Sequence, residues 1–201
     1  MIRVLIAEDQ TLVRGALRAL LDLEEDLEVV AEVGRGDAVV EAAREHRPDV
    51  ALHDIEMPGG DGIEAARALA DALPGVRAVI LTTFGRPGFM RRAMEVGAAG
   101  FLVKDAPVAE LARGIRAVMA GERVIDRDLA AAALAIGATP LSTREADVLR
   151  AAADGATVAD IAGRLFLSEG TVRNYLSSAI GKTGARTRVE AARVAEEKGW
   201  L

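Results

Sequence analysis

A doubly wound parallel α/β domain followed by a smaller all-α domain is the architecture this sequence predicts, and three observations carry it. Short apolar runs of buried-strand type alternate with amphipathic stretches from Ile2 to Gly121. Acidic or polar residues close four of those runs: Glu8-Asp9, Asp54, Thr82 and Lys104. From Leu141 onward the strand signal is gone and only helical periodicity remains.

Arg3 to Ala7 reads as the first strand. Thr11 to Leu23 follows with Leu12, Val13, Ala16, Leu17, Leu20 and Leu21 on one helical face. Glu28 to Val33 is a β-branched run ending at Gly34, and Asp37 to His46 is helical until Pro48 stops it. Val50 to His53 leads into Asp54 and the loop MPGGDG, whose glycines permit tight turns. Gly62 to Leu73 is a helix, Arg77 to Thr82 a strand, Gly88 to Val96 a helix ended by Gly97. Gly100 to Val103 is the fifth strand, and Val108 to Ala120 a helix ended by Gly121. Five strands and five helices in strict alternation imply a five-stranded parallel sheet covered on both faces.

Residues 123–140 read as a linker with a short helix in its Ala-rich middle, so residues 1–122 and 141–201 form the two domains. Ser142-Thr143-Arg144-Glu145 is a capping-box pattern at the start of a helix to Ala153. Val158 to Leu165, Glu169 to about Lys182 and Arg188 to about Lys198 complete a four-helix unit.

Charge and composition narrow the function. Of the 25 basic and 31 acidic residues, 16 and 23 lie in residues 1–140, against nine and eight in residues 141–201. An acidic front joined to a near-neutral back fits a cation-binding module attached to something else, and excludes a strongly basic, non-specific nucleic-acid binder. Cysteine is absent, which excludes disulfides, thiolate metal sites and thiol nucleophiles. No run approaches the roughly 18 apolar residues of a membrane span. Glu8 and Asp9 interrupt any signal peptide, so a soluble cytoplasmic protein without a membrane partner is expected.

In a parallel α/β sheet, groups beyond the carboxyl ends of the strands face the functional crevice. Glu8, Asp9 and Asp54 would converge there and repel one another unless a cation joined them, and oxygen ligands with several waters suit Mg2+. Asp54 is the candidate nucleophile, because carboxylates form covalent acyl phosphates and phosphoryl transfer needs mainly positioning and charge neutralisation. Asp9, Asp54, Glu8 through water and the backbone carbonyl of Glu56 are the candidate Mg2+ ligands. Lys104 and Thr82 would meet phosphoryl oxygens.

An acidic pair, a lone Asp, a hydroxyl and a Lys, each at a strand end and in this order, resemble the CheY-like (flavodoxin-like) receiver domain of two-component response regulators. The resemblance runs from Ile2 to about Gly121. It implies phosphorylation of Asp54 by a sensor histidine kinase, and an aromatic switch at Phe101 that turns inward as the Thr82 hydroxyl moves. Phe101 reads equally as an ordinary core residue. Asp105 stands where the family often has Pro, and Thr83 is bulkier than the small residue common there. His53, before Asp54, reads as a strand residue, with a second phosphoacceptor or a pH sensor as the other readings.

In the helical unit, Val158 to Leu165 and Glu169 to Lys182, joined across Phe166-Leu167-Ser168, have helix-turn-helix spacing. Ser168 would cap the second helix, whose N-terminal part is where recognition helices touch base edges. Val172, Leu176 and Ile180 mark its buried stripe, leaving Thr171, Arg173, Asn174 and Ser177 for DNA. Arg173 suits guanine and Asn174 adenine, while Lys182, Arg186 and Arg188 suit phosphates. LSTREADVL, ATVADIAGRLFLSEGTVRNYL and ARTRVEAARVA resemble the NarL/FixJ (LuxR-type) output domain, with Ser177 and Ser178 where relatives often carry basic residues. IAEDQ, DIEMPG, LTTFGRPG and EKGW are similar to the DesR-like branch of that family.

The resemblance implies a transcription regulator, not an enzyme, that assists only its own phosphorylation and dephosphorylation. The acyl phosphate would favour a homodimer through the face of the fourth and fifth helices or that of the first and fifth. Paired output domains would then read promoter half-sites about one helical turn apart on double-stranded DNA. Two other readings compete. A Mg2+-dependent phosphatase needs an acid/base carboxylate two residues after Asp54, where Glu56 stands, and a cap that no insert supplies. A receiver acting only as an interaction module would give phosphorylation-independent DNA binding.

Overall fold

The computed structural model of the chain describes residues 1–82, 87–104, 107–125, 130–131, 139–153 and 155–201. It divides into two compact units, one holding most of residues 1–130 and the other residues 131–201 with a short piece of the first stretch, each with its own apolar core.

The first unit runs β1 (Ile2–Ala7), α1 (Thr11–Leu21), β2 (Leu27–Val33), a 3-10 turn (Gly36–Ala38), α2 (Val39–His46), β3 (Val50–Asp54) and α3 (Gly62–Ala72). It continues β4 (Arg77–Thr82), α4 (Pro87–Glu95), β5 (Gly100–Val103), α5 (Val108–Met119) and β6 (Val124–Ile125). The strands pair in parallel in the order β2-β1-β3-β4-β5-β6. The doubly wound sheet is therefore present, with one strand more than the five expected. Val124 and Ile125, read from the sequence as the beginning of the linker, pair with Gly100 and Phe101. Two residues are too short a run for any periodicity to register. Thr83, Asp105 and most of the short helix expected in the linker fall outside the described residues.

Strand alternation sorts the core into two layers. Val4 and Ile6 of β1, Val50 and Leu52 of β3, and Val79 and Leu81 of β4 face Leu17 and Leu21 of α1 and Leu111, Ala112, Ile115 and Val118 of α5. Leu5, Ala7 and Ala51 face the other way, against Val39 and Ala43 of α2 and Ala65 and Leu69 of α3. Both faces are covered, which is why the strands read as continuous apolar runs.

The second unit comprises α6 (Thr143–Ala153), α7 (Val158–Leu165), α8 (Glu169–Thr183) and α9 (Arg188–Glu197). Ser or Thr precedes each of them, at 142, 157, 168 and 187, and accepts a hydrogen bond from an early helical N–H. That satisfies donors a helix start would otherwise leave orphaned. The Ser142–Glu145 box is reciprocal: Glu145 N–H donates to Ser142 Oγ (3.3 Å) and Ser142 N–H to Glu145 Oε2 (2.6 Å). Ala-rich faces of α6 and α9 meet Ile161 of α7 and Val172, Leu176 and Ala179 of α8. Ala179 takes the central place expected of Ile180, which lies at the margin of that core.

Candidate functional site

β1 and β3 are neighbours, and the chain leaves β1 towards β2 on one side and β3 towards β4 on the other. The crevice at that reversal receives Glu8 and Asp9 from the end of β1 and Asp54 from the end of β3. Glu8 and Asp54 are buried and Asp9 is exposed, and one carboxylate oxygen from each lies within 4.8 Å of the others. Lys104, just past β5, sends its ammonium between the two buried acids, 2.5 Å from Glu8 Oε2 and 2.9 Å from Asp54 Oδ1. Asp54 Oδ1 also accepts the Ile55 N–H (2.8 Å), and the Gln10 N–H donates to Glu8 Oε1 (3.1 Å). Thr82 is buried at the end of β4, and its carbonyl accepts the Lys104 N–H (2.7 Å), which ties the β5 end to the β4 end.

Burial holds the Glu8 carboxyl above its usual range; the bond from Lys104 pulls against this, and the neighbouring Asp54 charge adds to the rise. Three carboxylates against one ammonium leave two negative charges unbalanced. An all-oxygen pocket with that deficit fits a hard divalent cation, so the acidic pocket could bind Mg2+.

The loop after Asp54 turns tightly against the end of β3. Gly59 and Gly60 have φ of +79° and +123°, and a Cβ at Gly62 would collide with the Asp54 carbonyl. Asp61 then caps α3 through the Glu64 N–H (2.7 Å) and takes the Arg92 guanidinium at 2.8 Å. Glu56 lies exposed within this loop.

His53 points away from Asp54 by strand alternation and is fully buried, and neither ring nitrogen has a hydrogen-bond partner among the described residues. Burial pushes its pKa down to about 4, so the imidazole is neutral near pH 7. A side chain with no exposure cannot meet a phosphoryl donor, which favours the strand-residue reading. Phe101 is likewise fully buried, a position compatible with both a core residue and an inward-turned switch.

Sequence reasoning overlooked Arg14. Its Nη1 donates to the Glu8 carbonyl (2.5 Å), its Nε lies 3.8 Å from Glu32, and it occupies the space a side chain at Gly34 would need. It thus fixes the backbone between the two acids of the β1–α1 turn. In the sequence it reads only as a polar position beside an apolar stripe.

On α8, Arg173, Asn174 and Ser177 form one exposed face, and Arg173 pairs with Glu169 one turn earlier (2.6 Å). Thr171 is half-buried, with its hydroxyl 2.8 Å from that of Ser168. Two cations expected to be available for phosphates are engaged within the protein. The Lys182 ammonium sits 2.6 Å from the Glu145 carboxylate, and Arg188 Nη1 donates to the Ala156 carbonyl (2.9 Å). The reason is helical geometry: Lys182 projects from the flank of α8 that meets α6, not from the Arg173–Ser177 face. The Arg186 side chain is exposed.

Residues 4–116 match the response regulator receiver domain, and residues 139–195 match the bacterial regulatory proteins of the luxR family. The chain is 46% identical over 201 residues, the whole of both chains, to the transcriptional regulatory protein DesR of Bacillus subtilis (strain 168). It is 38% identical to the DNA-binding transcriptional activator DevR/DosR of Mycobacterium tuberculosis, covering 98% of this chain and 95% of that one. Among solved structures it is similar to RcsB from Salmonella enterica serovar Typhimurium bound to the promoter P1flhDC in the presence of the phosphomimetic BeF3−. That match has a TM-score of 0.72 at 25% identity and covers 98% of each chain. The response regulator ChrA of a heme-sensing two-component system matches with a TM-score of 0.59 at 35% identity, over 100% of this chain and 98% of that one. With both family models in chain order and full-length relatives at this identity, the chain belongs to the two-component response regulators that join a receiver to a LuxR-type DNA-binding domain and regulate transcription.

Proposed function

We propose that Asp54 accepts a phosphoryl group from a sensor histidine kinase in the cytoplasm, and that the acyl phosphate switches the chain from monomer to promoter-binding homodimer. The observation that carries this reading is the Lys104 ammonium held between Glu8 and Asp54, with the Asp9 carboxylate alongside. Oδ1 of Asp54 already accepts from Ile55 and meets Lys104, so Oδ2 is the attacking oxygen. It forms the new bond to phosphorus as the phosphorus–nitrogen bond breaks, and the electron pair returns to the histidine of the kinase. Asp9 and Asp54, with Glu8 through water and the Glu56 carbonyl, would hold Mg2+, which when bound would neutralise charge on the phosphoryl oxygens.

Lys104 has two carboxylate partners before transfer. Once one of them carries the phosphoryl group, its ammonium turns to a phosphoryl oxygen, and the Thr82 hydroxyl bonds another. Thr82 moving in the space beside Phe101 biases the receiver surface toward dimerisation. The paired output domains present Thr171, Arg173, Asn174 and Ser177 to base edges, with Arg186 on phosphates. Arg173 must exchange Glu169 for DNA, which costs little because an exposed i,i+4 pair is worth only about 0.3–0.5 kcal/mol.

Sedimentation of the pure protein with Mg2+, with and without beryllofluoride, tests the switch. A monomer-to-dimer shift that is lost in Asp54→Ala is expected. No shift in the wild type would favour phosphorylation-independent DNA binding, and a shift that survives Asp54→Ala would refute Asp54 as the acceptor.

A further inference from the structure

The exposed polar residues of the recognition helix differ in what they bond. Arg173, Asn174 and Ser177 project together into solvent. Ser178 and Lys182, one turn apart, instead converge on a single buried carboxylate on α6: Ser178 Oγ donates to Glu145 Oε1 (2.5 Å), and Lys182 Nζ donates to Glu145 Oε2 (2.6 Å). The same carboxylate accepts the Ser142 N–H at the start of α6 (2.6 Å). Glu145 is 5% exposed, and these donors offset the cost of taking its carboxylate out of water. The apolar contacts of α8, through Val172, Leu176 and Ala179 with Tyr175 and Ile180 at the margin, are not directional and tolerate small rotations about its axis. Two directed bonds one turn apart, meeting at one point, do not.

We propose that Glu145 is the positioning residue for DNA reading: it fixes the rotation of α8 through Ser178 and Lys182, and Lys182 serves this anchor in place of a phosphate contact. The inference rests on the proposed DNA-binding function. The rotation matters because Arg173 and Asn174 lie on the opposite side of α8 from the apolar stripe, where a small turn of the helix shifts their tips relative to the base edges they would pair with bidentately. Only the carboxylate of this pair is buried, and the anchor gives the pair the role of specifying geometry more than adding stability.

The two roles for Lys182 predict different salt behaviour. Each phosphate contact contributes about 0.9 to the slope of log affinity against log salt, independently of sequence. The test uses the full chain loaded with Mg2+ and beryllofluoride, and a duplex recovered by in-vitro selection from a random pool with the wild type. Affinity for this duplex and for a scrambled one is followed across salt concentrations for Lys182→Met, Ser178→Ala and Glu145→Gln. The anchor predicts an unchanged slope in all three, a roughly tenfold loss of preference for the selected duplex in Lys182→Met and Glu145→Gln, and a double variant no worse than the poorer single. A slope shallower by about 0.9 in Lys182→Met, with preference intact, overturns it and returns Lys182 to the phosphates.

Should Glu145→Gln unfold the helical unit, Ser178→Ala removes one hydroxyl only and carries the test. It must lower the preference for the selected duplex while helix content stays at the wild-type level, and an unaltered preference counts against the anchor. A wild type that distinguishes no duplex defeats the DNA-binding reading instead. The anchor is then judged by amide exchange over residues 169–183, which must be faster in Ser178→Ala; equal rates overturn it.

Discussion

Glu8 in the α/β unit and Glu145 in the helical unit have the same outline: a buried glutamate against a lysine from a distant element. Their surroundings push them in opposite directions. Glu8 shares its lysine with a second buried acid, and its carboxyl is raised. Among the described residues, no second acid shares the lysine of Glu145. Burial alone would raise it too, but the bonds from Lys182, Ser178 and Ser142 outweigh burial and hold it at about 2. An ionised group with every lone-pair direction served is finished structure, whereas one left short of positive charge is poised for a ligand. On the proposed function, the difference separates the part of this protein that changes charge on phosphorylation from the part that holds still.

The sharpest way to break the comparison is to remove each charge in turn. Glu145→Gln leaves Lys182 without its counter-charge and is expected to destabilise the helical unit. Breaking a buried pair costs about 3–5 kcal/mol, and the Lys182 side chain is 39% exposed, so the expected loss is at the bottom of that range or just below it. Denaturant midpoints followed by circular dichroism read it. The same group sets a pH dependence. Its folded pKa is about 2 against an ordinary 4.5, so its contribution is complete above 4.5 and is lost as pH falls towards 2. The stability gap between wild type and Glu145→Gln must therefore close across that interval, and a gap that persists at pH 2 would sink the assignment. Glu8→Gln should do the reverse. Without Mg2+ it removes a crowded charge and stabilises the receiver by about 1 kcal/mol, and with Mg2+ present that advantage is lost. A Glu8→Gln chain that is less stable than wild type without Mg2+ would show that Lys104 alone satisfies the pocket.

How much of this was legible beforehand follows the same division. Glu8, Asp9, Asp54, Thr82 and Lys104 announce themselves because each interrupts or closes an apolar strand, and the parallel sheet carries every such end to one crevice. The alternation of elements was legible for the same reason. β6 was not, because two residues carry no period. Nor was the bond made by Lys182: composition marks it as a surface cation, and only the flank of α8 on which it falls brings its ammonium to Glu145. Glu145 was half legible, as a cap on its own helix. Its second duty depends on a contact between residues 33 and 37 positions apart, which local pattern cannot reveal.

His53 extends the contrast to a neutral polar group without a hydrogen-bond partner among the described residues. An unsatisfied buried donor or acceptor costs about 1–3 kcal/mol, and an apolar group of similar shape removes the cost. His53→Leu is therefore expected to raise stability by about 1 kcal/mol, read as a higher urea midpoint at unchanged slope. A lower midpoint would mean that the imidazole finds a partner in solution and that the strand needs it. The beryllofluoride-induced dimer proposed above should still form in this variant, since His53 faces away from the crevice.

The smallest effect concerns two helix ends in the helical unit that solve one problem differently. α8 closes on Gly184 with φ +70°, the usual left-handed cap, whereas α7 closes on Phe166 with φ +54°. A side chain in that conformation is strained, and Phe166 recovers nothing by packing, since it is 95% exposed. Phe166→Gly relieves the strain but adds freedom to the unfolded chain, so the net gain is expected to be about 0.5 kcal/mol. A loss of stability would show that the aromatic ring is covered in the folded protein. Equal stability with weaker DNA binding would instead place the ring at the interface, because Phe166 lies in the turn that delivers Ser168 to the start of α8.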